Sequence, residues 1–167
     1  LPVVRVLREY MPGNISRHFG VHTMDRRHWV PIGNTSDGAS FCDIDRYQAT
    51  FVREISIDGR DLEIYRPTEF ELETPPDEMT DSSSTSPIWN PYLEPLGAGL
   101  DLDLAPKWGE TYSSINFYLH SHGDGVRVTR YVERVVGSTR TPSGSEPVQV
   151  YFYRGSNREE RAALGVE

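Results

Sequence analysis

The sequence predicts an all-β protein, an antiparallel β-barrel of about eight or nine strands, with a β-sandwich as the alternative. Three observations carry this expectation. Apolar and polar residues alternate at period two through most of the chain, as they do in half-buried strands. Two pairs of alternating runs are joined by short glycine-bearing turns. Further short runs rich in β-branched and aromatic residues are separated by turn signals.

The first pair begins with RYQATFVREISI, Arg46 to Ile57, in which Tyr47, Ala49, Phe51, Arg53, Ile55 and Ile57 share one face. Asp58-Gly59 follows, and both central residues of a type I′ turn need positive φ, which this pair tolerates. RDLEIYRPTEFELE, Arg60 to Glu73, then sets Leu62, Ile64, Arg66, Thr68, Phe70 and Leu72 on one side. A two-residue loop puts Ile57 opposite Arg60, Ile55 opposite Leu62, Arg53 opposite Ile64 and Phe51 opposite Arg66, so the apolar faces coincide. Pro67 cannot donate to a ladder and marks a bend, bulge or edge.

The second pair is SSINFYLHSH with VRVTRYVERVV. A turn at Gly123-Asp124 sets Leu119 opposite Val128 and Phe117 opposite Arg130. Val126, Val128, Val132 and Val136 then form one apolar face. PVVRVLREY, HFGVHTM, ASFCDID, LGAGLDLDLA and PVQVYFYRG read as further strands. The ending SNREERAALGVE has good helix formers and a cap candidate at Ser156, which predicts a short C-terminal helix. Residues 1–167 form a single β domain in this reading. Its exception is Glu73 to Pro95, with five prolines and no glycine. That composition predicts an irregular, lid-like loop pinned by Trp89 and Tyr92.

Composition narrows the function classes. Hydrophobic residues make up 37% of the chain, with nine Tyr, six Phe and three Trp to supply large buried areas. With 25 acidic and 17 basic residues the net charge is −8, and no basic stripe stands out, so nucleic acid is not an expected partner. No apolar run reaches membrane-spanning length, so no membrane partner is expected. Cys42 is the only cysteine, which precludes an intramolecular disulfide and points towards a cytoplasmic location.

The histidines of LHSHGDGVRV, His120 and His122, have the spacing of a metal pair, but a site needs a third protein ligand. A hairpin tip accounts for them better, and no metal is expected. His18, His22 and His28 are isolated by the same standard. Asp101 and Asp103 read as the outward face of a strand rather than a calcium loop. Nucleotide-binding and serine-hydrolase motifs are absent, and no cofactor is expected.

The unusual feature is arginine on apolar faces: Arg53, Arg66, Arg130 and Arg134. Arginine is almost never fully buried without a partner and cannot discharge itself by losing its proton. Either each pairs with a carboxylate or reaches the rim, or the interior is a cavity where the guanidiniums hold an anion or polarised carbonyl. The second account makes the chain a small-molecule-binding barrel for an apolar or anionic ligand. Arg53, Arg66 and Arg130 would stabilise negative charge, and Tyr47 would be the nearest proton donor or acceptor. Phe51, Phe70 and Phe117 would line the apolar wall, with Trp89 and Tyr92 on the lid. Small β-barrels of this calycin-like kind include carriers and cofactor-independent cyclases, isomerases and lyases. That likeness is one of architecture alone. The rival reading is a non-catalytic interaction module that docks a partner on aromatic strands, and a homo-oligomer is compatible with either.

Overall fold

The computed structural model describes residues 2–18, 26–34, 39–97, 99–101, 106–112, 114–117, 125–155 and 160–167. Strands dominate: β1 (Gly33–Asn34), β2 (Ser40–Asp43), β3 (Thr50–Ile57), β4 (Arg60–Arg66), β5 (Ser84–Leu96), β6 (Leu100–Asp101), β7 (Asn116–Phe117), β8 (Gly125–Thr141), β9 (Gly144–Tyr153) and β10 (Ala162–Val166). Helix α1 (Val3–Glu9), the single turn α2 (Pro106–Gly109) and a 3-10 turn at Ile44–Tyr47 complete the described elements. The chain falls into two compact units, residues 1–90 with 130–166, and residues 91–129 with Glu167.

The first unit is built on a sheet in the order β1-β2-β9-β8-β10-β4-β3, with β5 also pairing β8. It curls into half a barrel rather than closing. The expected antiparallel barrel is corrected, because β2 runs parallel to β9 and β10 runs parallel to β4. Both parallel pairs join segments far apart in the chain. Local alternation registers hairpins and carries no trace of such crossovers.

The β3–β4 hairpin forms as expected near its turn. Asp58 and Gly59 take φ of 52° and 75°, and Ile57–Arg60, Ile55–Leu62 and Arg53–Ile64 pair. Further out, a register shift between Phe51 and Arg53 puts Phe51 opposite Tyr65 and Thr50 opposite Arg66. The expected Phe51–Arg66 pairing is therefore wrong, since an extra residue at a bulge moves every later partner by one.

Four other expectations are corrected. PVVRVLREY is the helix α1: Val3, Val6, Leu7 and Tyr10 recur at helical spacing and pack into the core, while Arg5 and Glu9 pair outside at 2.9 Å. The segment AALGV is strand β10, not helix, because pairing on both edges outweighs a weak local propensity. Gly165 permits the fit, as a Cβ there would stand 2.5 Å from Ile64 Cγ2 and 2.9 Å from the Arg130 carbonyl oxygen. The proposed lid is irregular only up to Ser83; from Ser84 it is the regular strand β5. Finally, Phe117 pairs with Leu100 of β6, and Arg130 pairs with Val166 of β10.

Leu7, Tyr10 and Met11 close over the sheet and meet Val132, Val135, Val150, Phe152 and Leu164 in one apolar cluster. Tyr47 lies fully buried there and donates to the Tyr10 carbonyl at 2.9 Å, which ties the end of α1 to the 3-10 turn. Phe70 stacks on Tyr10 with ring centroids 4.6 Å apart.

Candidate functional site

The arginines do not converge on a cavity. Arg53 is half-buried in β3, whereas Arg66 ends β4 exposed and Arg130 is exposed on β8. None of the three is among the described residues that line four clefts of the first unit. The expectation of inward-facing guanidiniums is corrected for Arg66 and Arg130. On β8 the burial pattern slips where Tyr131 and Val132 are both buried, so the stripe Val126, Val128, Arg130 faces solvent.

The other candidate residues are scattered as well. Tyr47 and Phe70 belong to the core. Phe51 is 52% exposed and meets Tyr65 edge-on. Trp89 is partly buried against the core of the first unit, and Tyr92 lies on β5 in the second. Phe117 is in β7, but its side chain lies outside the described residues, as do His22, Asp103, His120, His122 and the Gly123-Asp124 turn. Among the described residues no cluster of three or more potential ligands is placed to hold a metal.

One charged network escaped the sequence reading. The Tyr65 hydroxyl donates to Glu63 at 2.5 Å and accepts from Arg154 at 2.5 Å; burial first, then Glu63, pushes this phenol up to about 12. Arg161 lies over Phe41 and Tyr151, at 4.8 and 4.1 Å from the ring centroids. The network borders a cleft of about 360 Å³ that also holds Glu54, Asp61 and Glu160. Its charges of both signs largely compensate one another.

The prolines of β5 follow a rule. In a strand, alternate N–H groups point to the same edge. The Thr85 N–H donates to Asn14 Oδ1 at 2.5 Å, away from β8, so odd-numbered positions face the outer edge. Pro87, Pro91 and Pro95 are all odd-numbered, and the missing donors fall where no ladder bond to β8 is lost. This is why a proline-rich segment can be a strand. It also blunts that edge against strand addition.

In the second unit Glu94 and Arg127 pair at 3.1 Å. Leu96 Cδ1 stands 3.9 Å from where a Cβ on Gly125 would be. Along each strand, Leu93 alternates with Glu94, and Val126 and Val128 alternate with Arg127. One face of the β5–β8 ribbon thus carries the ion pair. The other presents Leu93, Val126 and Val128 at 61%, 45% and 42% exposure, in the stripe that Arg130 continues along β8. Trp108 and Tyr112, stacked at 6.1 Å beside α2, are also exposed. Of eight large hydrophobics exposed among the described residues, these five and Leu96 lie in the second unit. Exposed residues of this kind are ordinary when scattered; concentrated on one element they mark contact surfaces.

No protein-family model, curated protein or solved structure matches the chain.

Proposed function

We propose that this protein is an interaction module that docks a short apolar segment of a partner protein on the face of the β5–β8 ribbon that carries Leu93, Val126 and Val128. The observation that carries the reading is the exposure of Leu93, Val126 and Val128 on one side of that ribbon. Their combined exposed area is about 250 Å², a small patch and well below the roughly 800 Å² per partner of a stable protein pair. The area therefore favours a peptide-sized occupant over a second copy of the chain. The prolines of β5 favour docking across the face, since the outer edge lacks alternate donors. The reading of an anionic small molecule held by Arg53, Arg66 and Arg130 has lost its main support, because two of the three guanidiniums face solvent.

Panning a random peptide library against the wild-type chain and the Leu93→Asp/Val128→Asp variant tests the proposal. The expected result is a pool of apolar peptides enriched on wild type alone, with the free chain monomeric by light scattering. Identical pools from both proteins, or a wild-type dimer that the variant dissociates, would overturn it.

A further inference from the structure

The first unit holds a separate groove of about 620 Å³, within the range of ligand sites. Trp29, Pro76, Met79, Pro147 and Val148 supply its apolar lining. Ser40, Thr139, Glu78 and Glu146 are its polar residues, and among the described lining residues there is no lysine or arginine. Neither carboxylate has a hydrogen-bond or ion-pair partner among the described residues. Arg27 is committed elsewhere, donating to the Met79 carbonyl and pairing with Asp81 at 3.8 Å.

Both walls are fixed by backbone bonds. Trp29 and Glu73 exchange N–H···O bonds at 3.0 and 2.9 Å, and the Met79 N–H closes a turn on Pro76 at 3.0 Å. The Thr80 N–H then fastens the loop to the Arg140 carbonyl at 2.7 Å. The opposite wall is β9, held by Glu146–Thr139, Pro147–Ser138 and Val148–Gly137 pairing with β8. Little ordering is left for a ligand to impose, which favours binding.

From this arrangement we infer that the groove takes a short segment of a partner protein in which lysine or arginine adjoins apolar side chains. The apolar lining buries the aliphatic groups, and the two unpaired glutamates meet the cation. A cationic segment is also drawn in by the protein's net charge of −8. This site is independent of the ribbon face, with which it shares no residue.

Fluorescence anisotropy of a labelled, end-capped peptide alternating arginine with leucine tests the inference, with an arginine–glycine peptide of equal charge as control. The wild-type chain is expected to bind the leucine peptide, more weakly as salt rises, and to leave the glycine peptide free. Glu78→Gln/Glu146→Gln, both at exposed positions that leave the fold intact, should weaken binding on the order of tenfold and flatten its salt dependence. Leu93→Asp should change nothing. Equal binding of the two peptides, no binding of either, or an unaltered affinity in the glutamine variant would overturn the inference.

Discussion

Gly137→Ala is the substitution the fold should tolerate least for its size. A Cβ at this position would stand 2.1 Å from the Ser84 carbonyl oxygen and 2.6 Å from Thr85 Cα. Both obstacles are backbone, so no side chain can swing aside and β5 must move off β8. That movement strains a cluster of buried bonds. The Thr85 hydroxyl donates to the Pro12 carbonyl at 2.8 Å, and the Arg140 N–H donates to the Ser83 hydroxyl at 2.8 Å. Ser83 and Thr85 are both buried, so these groups find no ready replacement in water. Overpacking alone costs about 1–3 kcal/mol. Two or three weakened buried bonds add about 1 kcal/mol each. The sum, about 3–6 kcal/mol, corresponds to a Tm lowered by roughly 10 °C or more in a chain of this length. Thermal melts followed by hydrogen exchange on the same protein measure it, and the amides of Thr85 and Arg140 should lose protection first. Gly144→Ala is the control, since nothing lies within 4 Å of its added carbon. A Gly137→Ala protein that melts within 2 °C of wild type with both amides protected would refute the close approach of β5 to β8.

Two further outcomes are expected. Tyr47→Phe keeps the ring packed edge-on against Phe152 but strips the buried Tyr10 carbonyl of its donor, which should cost about 1–3 kcal/mol in urea unfolding. Alkaline stability should fall in two stages. Burial raises the Cys42 thiol from 9.0 to about 12 and raises the Tyr47 and Tyr65 phenols above 10.0, so above those ordinary values the unfolded chain gives up protons that the fold retains. Stability is therefore level below pH 9 with respect to these groups, and declines from there through about pH 12; Cys42→Ala should remove the part of the slope that begins near pH 9.

The β3–β4 hairpin was legible because its information is local: Asp58-Gly59 fixes the turn and the alternation fixes the register, out to the bulge beyond Arg53. The helix α1 was not, because Val4 and Val6 fit a strand as readily as Val3, Val6, Leu7 and Tyr10 fit a helix, and nine residues are too few to separate the periods. Strand β10 was missed because Ala162 and Ala163 suit a helix in isolation, and only β4 and β8, remote in sequence, make them a strand. The candidate site failed in an instructive way. The stripe expected through Val126, Val128, Val132 and Val136 divides in the structure, with Val126 and Val128 exposed and Val132 buried, because alternation neither tells which face meets solvent nor registers the slip at Tyr131–Val132. The prolines of β5 misled for a related reason, since their meaning depends on which edge their missing N–H groups face.

Strand β10 also bears on how the chain reaches its fold in time. It sits between β4 and β8, parallel to one and antiparallel to the other, and is translated after both. On the ribosome the β3–β4 and β8–β9 hairpins can form as they emerge, each from neighbouring residues. Until Ala162–Val166 follows them, the inner margin of β4 and the stretch of β8 from Arg130 to Val132 have no ladder partner from β10. The nascent chain thus carries two adhesive margins whose natural complement arrives late, and translation that stalls before residue 162 leaves a species prone to join others of its kind.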